Sequence, residues 1–215
     1  MPADDTPADE FETARERMAS AQSSRVADDR VVEALATVPR HAFVPPARRE
    51  AAYEDRPLSI GDGQTISAPH MVAIMADLLA LAPGERVLEI GTGCGYHAAV
   101  TAALVGADAV YSVEYSAKLA TRARETLADI GYGDVSIRVG DGREGWATHA
   151  PYDAAYLTCA APSFPDAVVE QVRAGGRLLS PIGTDRQTLV YARRRDDGSL
   201  GKESHGPVRF VRMRG

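Results

Sequence analysis

An apolar stretch that runs directly into a glycine-rich turn constrains this chain more than any other feature. Val87-Leu88-Glu89-Ile90 has the composition of a buried strand, and Gly91-Thr92-Gly93-Cys94-Gly95 follows it without a break. Because glycine has no side chain to block a ligand, the backbone N–H groups of such a turn can approach the polar part of a bound cofactor. The sequence therefore predicts a cofactor-binding loop between a strand and a helix.

The glycine spacing alone leaves two cofactor classes open. Gly93-x-Gly95-x-x-Ala98 satisfies the dinucleotide pattern, whereas Glu89-x-Gly91-x-Gly93-x-Gly95 satisfies that of S-adenosylmethionine (SAM) sites. A second acid, Glu114, ends the next predicted strand and suits the ribose hydroxyls of either cofactor. The third acid favours SAM, because Asp141, flanked by glycines after another predicted strand, can accept from the adenine amino group. Enzymes that bind nicotinamide cofactors do not generally require this third acid.

The alternation of helix and strand patterns from residue 78 onward is typical of an α/β fold. It predicts a Rossmann-like, doubly wound, mostly parallel sheet with helices on both faces. Ligands of such sheets bind beyond the carboxyl ends of the strands, where Glu89, Glu114 and Asp141 all fall. We predict a helix over 96–104, a turn at 196–199, and strands over 86–90, 109–113, 135–139, 154–158, 177–181, 188–193 and 208–211.

The first 82 residues have a different character. We expect residues 1–8 to be disordered, and the apolar spacing predicts helices over 9–21 and 28–37. The passage from 40 to 67 shows no regular pattern, and loops of that length inside compact proteins are usually functional. We therefore assign 1–25 to an N-terminal tail and helix and 26–215 to a single domain. Within that domain, 26–82 would carry the substrate site and 83–215 the cofactor core.

Composition limits the class of protein. A chain of 215 residues, 45% hydrophobic and 25% charged, can bury one substantial core. Its formal charge of -6 and the lack of a basic stripe with aromatics argue against nucleic acid as a partner. No apolar run approaches membrane-spanning length and the first residues are acidic, so we expect a cytoplasmic protein without membrane contact. Neither Cys94 nor Cys159 has other metal-ligating residues at a suitable spacing in the sequence, so no metal is predicted.

Motifs from about residue 15 onward, such as Gly61-x-Gly63-Gln64-Thr65-Ile66-Ser67 and Gly140-Asp141-Gly142, resemble those of the protein-L-isoaspartate (D-aspartate) O-methyltransferases. A glycine loop alone indicates only a methyltransferase, whereas Gly61-x-Gly63-Gln64-Thr65-Ile66-Ser67 points to this substrate class. Tyr115 departs from the family pattern, which commonly has a basic residue there, and Arg212 stands where the family usually has proline. The other matching segments are Val38-Pro39-Arg40-His41-x-Phe43-Val44-Pro45, Ala52-Tyr53-x-Asp55-x-Pro57-Leu58-x-Ile60, Pro69-x-Met71-Val72-Ala73, Glu89-Ile90-Gly91-Thr92-Gly93-x-Gly95-Tyr96, Val110-Tyr111-Ser112-Val113-Glu114, Gly140-Asp141-Gly142, Gly145-Trp146, Ala160-Ala161-Pro162, and Gly183 with Gln187.

The resemblance implies a class I SAM-dependent methyltransferase fold and a specific repair reaction. The methyl group would pass to the free carboxylate of L-isoaspartyl and D-aspartyl residues in damaged proteins. The ester carries a better leaving group than the carboxylate, so the chain recloses to a succinimide, which partly reopens as normal aspartate. The implied partners are damaged proteins and peptides, and we expect the enzyme to be a monomer.

The chemistry of the acceptor indicates what the site must supply. A carboxylate has a reference pKa of about 4 and is ionised at neutral pH, so its methylation needs no general base. We assign the catalytic role, aiming one carboxylate oxygen, to Ser67, with Gln64 and Thr65 as further substrate contacts. An alternative role for Ser67 is to cap a helix over 68–81. The candidate cofactor-binding residues are Glu89, Gly91, Thr92, Gly93, Gly95, Glu114, Asp141 and Gly142.

Two other functions stay open at this point. One is a SAM-dependent methyltransferase with a different acceptor, such as a small carboxylic acid or RNA, and the other is an NAD-type oxidoreductase or a non-catalytic nucleotide-binding module. We expect His70, His97 and Trp146 to be structural. Cys94 and Cys159 lie at the ends of strands predicted to be neighbours, where small buried thiols are the ordinary case.

Overall fold

The computed structural model describes residues 8–215, which fold around a seven-stranded sheet and a separate two-stranded hairpin. The strands are β1 (Leu58–Gly61), β2 (Gln64–Ile66), β3 (Val87–Ile90), β4 (Val110–Glu114), β5 (Ser136–Val139), β6 (Tyr152–Leu157), β7 (Val172–Ile182), β8 (Gln187–Arg194) and β9 (Leu200–Val208). The sheet order is β5-β4-β3-β6-β7-β8-β9. Strands β3 to β7 pair in parallel, and β8 and β9 are antiparallel. The predicted fold class is confirmed.

The helices in residues 8–215 are α1 (Ala8–Ser20), α2 (Asp29–Thr37), α3 (Pro69–Leu79), α4 (Tyr96–Val105), α5 (Ala117–Asp129) and α6 (Asp166–Gln171). The predicted N-terminal helices are confirmed, and Asp28 caps α2 by accepting from the Arg30 N–H at 3.0 Å. Of the segment predicted to be disordered, residues 1–7 lie outside the described part and Ala8 begins α1. None of the helices described has the length and apolar character that a membrane crossing requires.

The central strand β3 is buried from both sides of the sheet. Val87 belongs to the core formed with α1 to α5, whereas Leu88 belongs to the core on the opposite face with α6, because alternate residues of a strand point to opposite faces. The register sets Glu89 beside Ser112 of β4 and Tyr156 of β6. The chain continues from β3 to one side through β4 and β5, and β6 and β7 lie on the other side. Doubly wound sheets bind ligands at this switch point.

The passage from 40 to 67, which shows no regular pattern in the sequence, contains an antiparallel hairpin. Strands β1 and β2 pair Leu58 with Ile66. Their turn is Gly61-Asp62-Gly63, with φ angles of 89°, 55° and 70°, a left-handed region that glycine and Asp tolerate better than other residues. An Asp-Gly pair between apolar residues is a known hairpin signal. The hairpin fixes where the predicted substrate residues lie.

The predicted strand over 208–211 is wrong, because the last strand, β9, ends at Val208. The chain turns at 195–199, where the Gly198 N–H donates to the Arg195 carbonyl, and β9 then forms the edge of the sheet. Its side chains are mostly polar and lack the apolar alternation of a half-buried strand. Residues 211–213 run beside residue 160 instead: the Ala160 N–H donates to Val211 O and the Met213 N–H to Ala160 O, each at 2.8 Å.

We propose that the chain unfolds as one domain, with α1 attached to it. Met18 and Ala19 of α1 pack in the same core as Val31 and Leu35 of α2. Denaturation followed by far-UV circular dichroism and by the fluorescence of Trp146, the single tryptophan, should therefore give coincident transitions. Two separated transitions would contradict a single domain.

Candidate active site

A cavity with about 760 Å³ of empty space lies beyond the carboxyl ends of β3, β4 and β6. Most of the predicted site residues line this cavity, and Glu89, Gly95 and Asp141 do not. Those that do are Gln64, Thr65, Ser67, Gly91, Thr92, Gly93, Glu114 and Gly142.

The glycine loop keeps its backbone close to the cavity. Gly91, Gly93 and Gly95 have φ angles of 99°, 57° and 93°, which L side chains rarely adopt. A Cβ atom at Gly91 would also collide with the hydroxyl of Thr158. Because no larger residue fits there without a shift, a ligand can approach the backbone of the loop closely. This cradle suits the polar part of a cofactor.

Glu114 ties the glycine loop to the end of the neighbouring strand. Its Oε2 accepts from the Gly93 N–H at 2.8 Å, and its Oε1 accepts from the Ser116 N–H at 2.9 Å. The residue is only 7% exposed, yet it lines the cavity. A carboxylate has about four acceptor positions, so these two bonds leave room for hydroxyl groups of a ligand. The geometry fits the ribose role predicted for Glu114.

Ser67 follows strand β2, and a buried arginine holds its carbonyl group. Arg40, which is fully buried, donates through Nη1 to Ser67 O at 2.8 Å and through Nε to Ala52 O at 2.7 Å. Its guanidinium carbon lies 5.1 Å from the ring centroid of Tyr96, the first residue of α4. Arg40 therefore connects the segment of Ser67 to the helix that follows the glycine loop.

The structure assigns the cap of α3 to a residue other than Ser67. The helix begins at Pro69, and its N-cap residue is Ala68, whose side chain has no hydrogen-bonding atom. It ends at Leu79, two residues before the predicted end, where Ala80 adopts the left-handed conformation with φ 45°. Ser67 instead lines the cavity. The alternative role as a helix cap is therefore wrong.

A second, larger depression adjoins the cavity on the side of Ser67. It has about 1010 Å³ of empty space, and Thr65, Ser67, Thr158 and Val211 line both spaces. A ligand in the depression would therefore reach the same side chains as a ligand in the cavity. The rest of its wall comes from Pro57, Ala68, His70, Met71, Pro207, Val208, Arg209 and Phe210.

Comparison with known proteins decides which family this arrangement represents. The model of the family described as protein-L-isoaspartate(D-aspartate) O-methyltransferase (PCMT) matches residues 13–215. The chain belongs to this family. It is therefore a methyltransferase with SAM as its cofactor, and the NAD-type function is set aside.

The alignments with individual relatives cover nearly the whole length of this chain. Protein-L-isoaspartate O-methyltransferase 2 of Archaeoglobus fulgidus is 49% identical over 208 residues, which cover 96% of this chain and 95% of the relative. The protein-L-isoaspartate O-methyltransferase of Geobacter metallireducens is 48% identical, with coverage of 95% for both chains. Among solved structures, a protein-L-isoaspartate O-methyltransferase has a TM-score of 0.85 and 31% identity, covering 94% of this chain and 66% of that one.

Glu89 lies beneath the glycine loop of the methyltransferase, outside the cavity wall. Its Oε2 lies 2.5 Å from Ser112 Oγ and its Oε1 lies 2.9 Å from the Tyr156 hydroxyl oxygen, both within hydrogen-bond distance. Ser112 Oγ also lies 2.6 Å from Thr92 Oγ1, and Thr92 belongs to the loop. Burial raises the pKa of Glu89 to about 8, so the carboxyl group is protonated at neutral pH. We infer that Glu89 supports the loop through Ser112 rather than by touching the cofactor.

Asp141 precedes Gly142, which lines the cavity. Arg143 donates to its Oδ2 through Nη2 at 2.6 Å and through Nε at 2.9 Å. These side-chain hydrogen bonds hold the pKa of Asp141 below its usual value. The carboxylate is thus ionised and keeps acceptor positions beyond those that Arg143 uses. Its contact with the adenine amino group stays a prediction.

The two histidines expected to be structural occupy different positions. His70 Nδ1 lies 2.8 Å from Asp55 Oδ1, and the residue lines the second depression. His97 is buried and lines the cavity itself, close to the glycine loop. In the sequence, only its position two residues after Gly95 indicates that His97 lies near the cofactor loop. Trp146 packs edge-on against Tyr111, with ring centroids 6.0 Å apart, in the core on the opposite face of the sheet.

Cys94 and Cys159 are free thiols that line the cavity. Burial raises the pKa of Cys94 to about 11 and that of Cys159 to about 12. At neutral pH both thiols are therefore protonated and poorly nucleophilic. Across residues 8–215, no group of three or more His, Cys, Asp or Glu side chains could hold a metal ion.

Replacing Glu89 with glutamine should change how stability depends on pH. The pKa of about 8 in the folded protein lies above the ordinary 4.5, so the folded state retains a proton that the unfolded state releases between these values. The contribution of Glu89 is then complete below about pH 4.5 and is lost as the pH rises toward 8. The amide can donate to Ser112 and accept from Tyr156 without titrating.

We expect the free energy of unfolding of Glu89→Gln to rise relative to that of the wild type as the pH rises, by ~3 kcal/mol. Urea unfolding at about pH 5, 7 and 9 measures the difference. Glu125→Gln, at an exposed position of α5, is the matched control and should leave the pH profile unchanged. A difference that stays constant across these pH values would show that Glu89 is not protonated in the folded protein.

Proposed function

We propose that the protein transfers the methyl group of SAM to the free carboxylate of L-isoaspartyl and D-aspartyl residues in damaged proteins, and so starts their repair through a succinimide. The observation that carries the proposal is the position of Ser67 and Thr65 in the wall shared by the cavity and the depression. One side of this wall faces the glycine loop, and the other faces a space open to a peptide. Family membership supports the same reaction.

The residues that we assign to the cofactor either line the cavity or lie next to a lining residue in the chain. We propose that the loop from Gly91 to Gly95 holds the polar part of SAM, that Glu114 accepts from the ribose hydroxyls, and that Asp141 accepts from the adenine amino group. When bound, SAM supplies a methyl group on a positively charged sulfonium. The apolar part of the wall excludes water, which favours a reaction in which opposite charges cancel. That part includes Ile66, Val72, Ile90, Val113 and Val211.

The substrate residues need to orient a group that is already ionised. We propose that the Ser67 hydroxyl donates to one oxygen of the acceptor carboxylate and leaves the other free to react. Gln64 and Thr65 lie on the adjoining edge of the β1–β2 hairpin, and we propose that they contact the peptide backbone. Main-chain contacts suit an enzyme that accepts many neighbouring sequences. Arg40 supports this arrangement by holding the Ser67 carbonyl at 2.8 Å.

The proposal predicts labelled methyl transfer from SAM to a peptide that contains isoaspartate, with slow release of methanol as the ester closes to the succinimide. The matched aspartyl peptide should accept no label. Binding of S-adenosylhomocysteine without isoaspartyl transfer would instead indicate another acceptor, such as a small carboxylic acid or RNA. Both peptides should be assayed over a range of salt concentrations, so that folding and activity are compared under the same conditions.

Ser67→Ala should lower kcat by about 10- to 100-fold, because a misplaced acceptor oxygen loses much of the benefit of orientation. The affinity for S-adenosylhomocysteine, measured by calorimetry, should stay within about twofold of the wild type, since other groups carry the cofactor. Ser59→Ala, at an exposed position of the same hairpin, is the control and should retain activity. If cofactor affinity fell by the same factor as kcat, Ser67 would maintain the structure of the cavity and would not orient the acceptor.

We also propose that the enzyme acts as a monomer in the cytoplasm, with no nucleic acid or membrane as a partner. The net charge of -6 supports the lack of nucleic-acid binding, because it repels polyanions. Sedimentation equilibrium should then give a mass near 22.9 kDa, and a mass of twice that value would contradict the monomer.

A further inference from the structure

His97 is a buried polar side chain in the cavity wall whose hydrogen-bonding groups are unused. It follows Tyr96 in the first turn of α4, directly after the glycine loop, and is 6% exposed. Both ring nitrogens are buried and neither has a hydrogen-bond partner within residues 8–215. The ring packs against Tyr156, with centroids 4.5 Å apart. A buried polar group left without a partner costs about 1–3 kcal/mol of folding free energy, and a ligand in the cavity would supply the missing hydrogen bond.

The imidazole is neutral at the pH of the cell. Burial lowers the pKa of His97 to about 3, and a cation at a helix N-terminus is also unfavourable. A neutral imidazole carries one N–H donor and one acceptor nitrogen. The free groups of His97 can therefore donate one hydrogen bond and accept one.

The position of His97 indicates which part of the cofactor it meets. Glu114 stands at the end of β4, where ribose hydroxyls are proposed to bind, whereas His97 stands at the start of α4. The N-terminus of α4 carries partial positive charge and favours an anion. The α-carboxylate is the one anionic group of SAM, and it lies at the opposite end of the molecule from adenine.

We propose that His97 binds the amino-acid end of SAM, with its N–H donating to the α-carboxylate. This role concerns the cofactor alone and does not depend on which acceptor is methylated. His97 thereby adds a side-chain donor beside the glycine loop, whose glycine N–H groups already bond within the protein. The imidazole holds the amino-acid end of SAM without adding a positive charge near the sulfonium.

Two ligands that differ only at the amino-acid end provide the test. S-adenosylhomocysteine has the α-amino and α-carboxylate groups, and 5′-methylthioadenosine keeps the nucleoside and the sulfur without them. We expect His97→Leu to weaken S-adenosylhomocysteine about tenfold in calorimetry and to leave 5′-methylthioadenosine unchanged. His97→Gln should restore most of the affinity, because an amide also donates and accepts. His205→Leu, on β9 and outside the cavity, is the control.

Equal weakening of both ligands would overturn the proposal and assign His97 to the shape of the whole cavity, and so would unchanged binding of S-adenosylhomocysteine to His97→Leu. If the leucine variant does not fold, the wild-type protein still provides a test. The imidazole resonances of His97 should shift on addition of S-adenosylhomocysteine and stay in place with 5′-methylthioadenosine. Identical shifts with the two ligands would contradict the proposed contact.

Discussion

The hydrogen bonds that Glu114 accepts from Gly93 and Ser116 hold the site together. They join the loop after β3 to the turn after β4, so two neighbouring strand ends act as one wall. Charge-assisted bonds to backbone N–H groups are stronger than neutral ones, and this pair is largely buried. The glycine loop is built from left-handed residues with few side chains to anchor it, so a fixed carboxylate is what defines its position.

A second acid supports the same loop from below and in a different state. Glu89 is fully buried, its pKa is raised to about 8, and it bonds to Ser112 and Tyr156 on the two flanking strands. Ser112 is in turn hydrogen-bonded to Thr92 of the glycine loop. The parallel register makes this possible, since it sets these three strands side by side at one level. The sheet therefore positions the cofactor loop through the Glu114 carboxylate at the cavity wall and through the buried network around Glu89.

The sequence predicted the sheet well because its signals are local. Apolar strands followed by glycine or an acid located β3, β4 and β5, and the position of Glu114 in the cavity followed from the rule that ligands bind at the carboxyl ends of strands. The hairpin was not predicted, since β1 and β2 are only four and three residues long. The final strand was misplaced because the polar edge strand β9 has no apolar alternation, whereas residues 208–211 are more apolar without forming a strand.

The site was predicted in part, and the missing residues depend on three-dimensional neighbours. Arg40 lies 27 residues from the Ser67 carbonyl that it holds, and no spacing rule connects the two. The ring nitrogens of His97 are informative only once burial and the lack of partners are known. Asp141 was placed at the correct edge, but its pairing with Arg143 depends on the short helical turn that it caps. Position along a strand follows from sequence, whereas side-chain direction follows from packing.

We propose that the carboxylate of Glu114 both fixes the glycine loop and binds the cofactor. Calorimetric titration of Glu114→Gln with S-adenosylhomocysteine tests it most directly, because the amide keeps the size of the side chain but would direct its NH2 group at a backbone N–H. We expect at least a tenfold loss of affinity, on the order of 1.4 kcal/mol or more. An affinity equal to that of the wild type would contradict it.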